Sequence, residues 1–237
     1  MKTIKLRLKR SLLALAGTTL LVLAATSTQA AAITEGADTG QTLGTAQTTA
    51  GSASIDTIRG SLLTTAGNDY ADMFRIYLYA GSTFSATTTA SSLDFNNFDT
   101  SLFLFDSSGK GLVANDDDPN VGPTSTLHDF AVAASGYYYL AIAGAGYTPV
   151  SAGGSIFGSL LGLDQVGPNG AGGSQALSGW QSISGEGDAY EIVMQSAFAG
   201  LPAADVPEPG SLMLLGLGAA ALISRRNRRT LATGVAR

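Results

Sequence analysis

Cysteine is absent from the 237 residues, and histidine and tryptophan occur once each, as His128 and Trp180. Without Cys there is no disulfide framework and no thiolate for zinc chemistry. A single His rules out His-based metal clusters as well. Positive charge is scarce in the middle of the chain. Between Ile33 and Val206 the only cations are Arg59, Arg75 and Lys110, against 17 Asp and Glu, a net charge of −14. Nucleic acids bind cation-rich surfaces, so they are excluded as partners of this part. Cations or a neutral polymer suit it better, and the same charge also serves plain solubility outside the cell. Long helical periodicity is missing too. About 170 residues are nevertheless enough to bury a core without cross-links.

The remaining cations sit at the two ends. Met1 to Arg10 carries Lys2, Lys5, Arg7, Lys9 and Arg10, Leu12 to Ala25 is mostly apolar, and a small-residue stretch closes on Ala30-Ala31-Ala32. That order predicts a secretory signal peptide over 1–32, cleaved between Ala30 and Ile33. Its partners are signal peptidase and the secretion machinery. At the far end, Val206-Pro207-Glu208-Pro209-Gly210-Ser211 leads into an apolar run and then Arg225, Arg226, Arg228 and Arg229. The prolines fix φ and remove amide donors, which predicts an extended, protease-accessible Glu208. From Ser211 to Ser224 the run is 14 residues, short of the ~20 that cross a bilayer core. A short transmembrane helix of this kind suits a transient anchor. The arginines would stop it on the cytoplasmic side, with 230–237 as a cytoplasmic tail.

Residues 206–229 resemble the PEP-CTERM sorting signal, which joins a Pro-Glu-Pro motif, a hydrophobic segment and a basic end. The resemblance implies recognition by an exosortase-type membrane protease in a Gram-negative, exopolysaccharide-producing bacterium. Val206, Pro207, Glu208 and Pro209 would then be processing residues, and the four arginines the membrane stop. The expected route is export, a transient inner-membrane anchor, then the cell surface or extracellular matrix (biofilm).

Between the ends the pattern is that of strands. Residues 33–54 are rich in Gly, Ala, Thr and Ser without clear period, and read as a loose lead-in. Ile58 and Leu62 alternate, as do Phe74, Ile76 and Leu78 on one face of the next run. Asp99 to Asp106, a turn at Ser107 to Lys110, and Gly111 to Ala114 form a hairpin. Tyr138, Leu140 and Ile142 share one face, with Tyr137 and Tyr139 on the other. Tyr190, Ile192 and Met194 alternate in a closing strand. Residues 145–187 break the pattern: 12 of these 43 residues are Gly. They read as an insertion before the last strand of a single domain over 55–200.

The stretch from Asp99 through Asp117, with Ser135-Gly-Tyr-Tyr-Tyr-Leu-Ala-Ile downstream, resembles the bacterial pre-peptidase C-terminal domain. The expected fold is therefore all-β, a jelly-roll-like antiparallel β-sandwich flanked by the signal peptide and the C-terminal hydrophobic helix. The resemblance also implies a non-catalytic domain, with relatives that bind calcium or polymeric substrates.

Calcium takes six to eight oxygen ligands. Asn115, Asp116, Asp117 and Asp118 form one acidic loop, and Asp99, Asp72, Asp69 and Asn68 lie near other turns. These eight are the candidate calcium ligands. The same Asp and Asn residues also favour turn geometry without any ion. Trp180 is a candidate for stacking on a sugar ring, and its apolar neighbours equally fit a core position. For catalysis, His128 and Asp129 are neighbours on an alternating strand, which predicts opposite faces and no triad contact. No Gly-x-Ser-x-Gly elbow is present, and nothing in the sequence positions a pair of carboxylates. The expectation is an exported, non-enzymatic structural, adhesive or polysaccharide-binding protein. The alternative is a secreted hydrolase or an accessory domain of one.

Overall fold

The computed structural model describes residues 30–37, 39–51, 53–62, 70–90, 99–118, 120, 122–182 and 187–200. The expected signal peptide before Ala30, the sorting segment, its apolar helix and the cytoplasmic tail lie outside them, as do Asn68 and Asp69. The described part is built of strands: β1 (Ala31–Thr34), β2 (Gln47–Thr48), β3 (Ser54–Ser61), β4 (Ala71–Leu78), β5 (Thr83–Ala90), β6 (Thr100–Phe105), β7 (Gly111–Asn115), β8 (Thr126–Ala131), β9 (Gly136–Gly144), β10 (Tyr147–Ser151), β11 (Gly154–Ser155), β12 (Gly179–Ser182) and β13 (Ala189–Phe198). No helix occurs among the described residues.

Two layers face each other. The first runs β1-β3-β13-β5-β8, and the second β2-β4-β9-β6-β7, all antiparallel except β1 on β3 and β2 on β4. At its C-terminal end β13 also pairs with β4, through Phe198 and Tyr77, so the layers are joined into one hydrogen-bonded sheet. The expected alternation fills the space between them. Phe74, Ile76, Leu78, Leu102, Leu104, Leu140 and Ile142 of the second layer meet Ile58, Phe84, Leu127, Ile192 and Met194 of the first. Each such side chain contributes about 1.5–3 kcal/mol by leaving water. In β13 the phase slips once. Buried Tyr190, Ile192 and Met194 are followed by buried Ala197, and Ser196 takes φ 61° to absorb the extra residue. This is a bulge, and it lets one strand serve both layers.

The stretch 33–54 is not the loose lead-in that its composition suggests. Its first residues continue β1, and β2 lies parallel to β4, Gln47 beside Phe74 and Thr48 beside Arg75. The Thr49 hydroxyl then donates to the carbonyls of Arg75 (2.8 Å) and Ala199 (3.0 Å). Small polar residues are used here as edge pairing, a role that leaves no long apolar period. β1 begins at Ala31. A leader ending at Ala30 leaves that strand whole, and one ending at Ala32 halves it.

The insertion forms a third layer. β10 pairs with β11 and β12 in a small antiparallel sheet. Ile156 and Phe157 are buried against Met73, Phe103, Phe105, Ala141 and Ala143 on the outer face of the second layer. The insertion also covers the edge strands β7 and β8. Val166 exchanges two backbone hydrogen bonds with Ala114 of β7, at 2.7 and 2.9 Å. The Gln165 side chain bonds both the amide (3.1 Å) and the carbonyl (2.9 Å) of His128 in β8. Covered edges do not pair with other chains. The glycines belong to this packing: a methyl group on Gly173 would fall 1.9 Å from the Pro168 carbonyl oxygen.

Candidate functional site

The acidic loop follows β7, and its polar groups are hydrogen-bonded within the loop and to the flanking strands β6 and β8. Asn115 Oδ1 accepts from the Thr126 amide (2.8 Å), and its Nδ2 donates to the Asp117 carbonyl (2.9 Å). Asp118 Oδ1 accepts from both the amide (2.8 Å) and the side chain (2.9 Å) of Asn120. Asp116 accepts from the Ser101 hydroxyl. These bonds make the short-range turn that Asn and Asp favour.

The carboxylates are driven in opposite directions. Burial pushes Asp116 above the usual range against the Ser101 hydrogen bond, and neighbouring Asp117 adds to the rise. Burial acts on Asp118 as well. There the hydrogen bonds from the Asn120 amide, Thr126 and the Asn120 side chain outweigh it, with His128 nearby, and the pKa falls below the usual range.

The other candidate calcium ligands are elsewhere. Asp72, Ile142, Leu102 and Asn115 stand in one row across β4, β9, β6 and β7. Asp72 therefore shares the inner face with Phe74. It is fully buried and accepts from the Tyr190 hydroxyl at 2.6 Å. Asp116 is tied to Ser101, whose alternation with Leu102 puts it on the outer face. Asp99 precedes β6, and its carbonyl accepts from the Ala145 amide at 3.1 Å. The described members of the set thus fall on both sides of the sheet. Among the described residues, no three His, Cys, Asp or Glu side chains converge as a metal site would require.

Trp180 is half-buried in the cluster between the insertion and the outer face of the second layer. Its ring stacks on Tyr147 (centroids 5.4 Å apart, 3° between planes) and meets Phe103 edge-on, while its Nε1 donates to the Gln41 carbonyl at 2.7 Å. One face of the indole is thus already taken by Tyr147.

His128 and Asp129 depart from expectation. Strict alternation would part them, yet His128 Nδ1 lies 3.6 Å from Asp129 Oδ2. Asp129 has φ 53°, a bulge geometry that turns both side chains to solvent. Ser85 Oγ is close by but accepts from the Asp129 amide (3.2 Å). A triad instead needs the imidazole between hydroxyl and carboxylate.

Two open clefts lie at the sandwich ends. One, of 190 Å³, is lined by Asn115, Asp118, Asn120, Thr126, His128, Leu163 and Asp164, and so brings the acidic loop beside the tip of the insertion. The other, of 340 Å³, lies among Asp106, Leu112, Phe130, Tyr137 and Tyr138 and the 133–136 turn.

Sequence reasoning misses Glu35. Its carboxylate accepts from the amides of Thr39 (3.0 Å) and Ser61 (2.8 Å), pinning the segment after β1 to β3. Gly60 makes the room, since a methyl group there would fall 2.2 Å from the Tyr190 hydroxyl and 2.6 Å from Glu35 Oε2. An acid in a Gly/Thr-rich stretch carries no periodic signal. Asp72 is more legible: two residues before Phe74 on the same strand, alternation alone assigns it to the core face.

An acid-rich, all-β domain followed in sequence by Pro-Glu-Pro, a short apolar run and an Arg cluster defines a class, the exported proteins anchored by a tail for sorting. Within that class the tail is specific. Residues 205–229 match the PEP-CTERM protein-sorting motif. The motif marks the chain for export, membrane-anchored sorting and processing by exosortase-type machinery. No curated protein matches the chain. Among solved structures it is similar to the pre-peptidase C-terminal domain of a collagenase from Bacillus anthracis. That match has 12% identity and a TM-score of 0.34, and covers 70% of this chain and 97% of the other.

Proposed function

We propose that the domain delivered by this route is a non-catalytic, polyanionic component of the cell surface or extracellular matrix that binds neutral polysaccharide. The observation that carries the reading is the sorting motif at 205–229. The cleft between acidic loop and insertion supports the ligand class. Its amides, hydroxyl and carboxylates bond to sugar hydroxyls, and Leu163 offers an apolar wall. Asn115 is held in place by the Thr126 amide of β8 and Asp118 by the Asn120 amide, which presents their remaining lone pairs in fixed directions. High negative charge disfavours anionic polymers by simple repulsion.

The test is retention of the full chain in detergent on immobilised neutral and anionic polysaccharides, beside an assay against peptide and glycan hydrolysis panels. Retention on the neutral polymer, weakened by Asp164→Ala and Asn120→Ala, is the expected result. No retention on any polymer removes the binding reading. Turnover of a panel substrate that one Asp substitution abolishes removes the non-catalytic one.

A further inference from the structure

The outer face of the second layer is covered by the insertion over one half only. On the other half the same alternation brings up Arg75 and Tyr77 of β4, and Tyr79 just after it, beside Tyr137 of β9 and Phe198 of β13. Tyr77 meets Tyr137 (5.3 Å) and Tyr79 (5.1 Å) edge-on, and Tyr79 meets Phe198 (4.9 Å). The Arg75 guanidinium lies 4.4 Å from the centre of the Tyr137 ring. Among the described residues Arg75 has no carboxylate partner, and its Nε has no hydrogen-bond partner. Of the three cations between Ile33 and Val206, Arg59 is the one paired with an acid among the described residues, through Glu191. Apart from buried Tyr77, these side chains are half-buried, so the aromatic patch reaches solvent.

The chain leaves the domain at this patch. The Ala199 amide is bonded to the Ala53 carbonyl (3.0 Å), and its carbonyl to Thr49. A methyl group on Gly200 would lie 3.6 Å from the Tyr137 hydroxyl. The sorting motif begins five residues later, at 205, a span of ~17 Å at full extension. The apolar run from Leu212 starts 12 residues after Gly200, ~40 Å at most. The domain's own radius of gyration is ~15 Å for this length. A tether no longer than about the width of the domain keeps the exit face close to the bilayer.

We propose that this Tyr/Phe/Arg75 face rests on phospholipid headgroups while the tail is anchored, and so sets the height and orientation at which the Pro-Glu-Pro segment is offered for processing. The proposal rests on the sorting reading of the tail. Its chemistry is that of an interface. Tyr has an apolar ring and a polar tip, which suits the headgroup level. A cation with no carboxylate partner among the described residues is matched by an anionic headgroup, while the acids elsewhere are repelled by it.

The absence of cysteine makes the test clean. Ala80→Cys lies in the exposed turn after Tyr79, and Val193→Cys on the outer face of the first layer. Each full-length variant is labelled with an environment-sensitive fluorophore and reconstituted into phosphatidylethanolamine–phosphatidylglycerol vesicles carrying a headgroup nitroxide. The expected result is strong quenching at position 80 and little at 193. Arg75→Gln is expected to weaken contact on anionic vesicles by about fivefold and to change nothing on neutral phosphatidylcholine. Flotation separates the two failures. Chains that float with equal quenching at 80 and 193 overturn the headgroup contact and leave the anchor intact. Chains that do not float overturn the anchor reading and the contact with it.

Discussion

The two layers of the sandwich share a core but not a fate on their outer faces. The first layer turns residues such as Val193, 41% exposed, to solvent. The second is buried on both sides where the insertion lies over it. Met73, Phe103, Phe105, Ala141 and Ala143 there are all fully buried under Ile156 and Phe157. A strand covered on one face shows the alternation of β13. One covered on both reads as a continuous apolar run, as Leu102 to Phe105 does. The difference teaches that the insertion is a structural layer of the domain. It replaces water on one face and closes the edges at β7 and β8.

The largest expected break in that comparison is Phe157→Ala. Phe157 is 1% exposed and packs on Phe103 and Phe105 (centroids 5.6 and 6.1 Å). Its loss should cost ~3–5 kcal/mol, read as a fall in the urea midpoint. Val193→Thr, on the uncovered face, should stay within about 0.5 kcal/mol. Equal effects at the two sites would mean that the third layer adds nothing to stability.

A smaller effect tests the tie between layers. Tyr190 of the first donates to Asp72 of the second, within the core. Tyr190→Phe removes only the hydroxyl and should cost ~1–3 kcal/mol, visible in thermal melting. A melting point unchanged within error would show that this contact does not help to join the layers.

Much of the sandwich is legible in the amino-acid pattern alone. Phe74, Ile76 and Leu78 alternate with Arg75 and Tyr77, Leu140 and Ile142 with the small Ala141 and Ala143, and Tyr190, Ile192 and Met194 with Glu191 and Val193, because the face toward the shared core takes the large apolar side chains. The third layer is not legible in that way. Its strands are two to five residues long, too short to show a period, and its glycines act through close backbone approach. Composition alone shows them as looseness. Of the candidate calcium ligands, the residue types are legible and their convergence is not. Which face Asp72 and Asp116 occupy depends on strand phase, and they fall on opposite sides. The His128–Asp129 contact is hidden by the same kind of event, a positive φ at Asp129.

The smallest expected effect sharpens the comparison at the acidic loop, where Asp116 follows the outer face and Asp118 the cleft. For Asp116 the folded pKa is raised by burial above 3.8. Stability from this group is then fully present below the unfolded value and lost as pH rises through the folded one. For Asp118 the folded pKa is lowered, so its stabilisation is present above 3.8 and is lost as pH falls through the folded value. At pH 7 Asp116→Asn should therefore raise the urea midpoint and Asp118→Asn should lower it. At about pH 2.5, below the ordinary Asp value, Asp116 is protonated in both states, and the gain from its replacement should vanish. The loss at Asp118 should shrink toward what the amide's altered hydrogen bonding leaves. Denaturation of both variants at the two pH values checks the signs. Two shifts of the same direction at pH 7 would mean that the loop's hydrogen bonds do not separate its carboxylates, and that burial alone governs them.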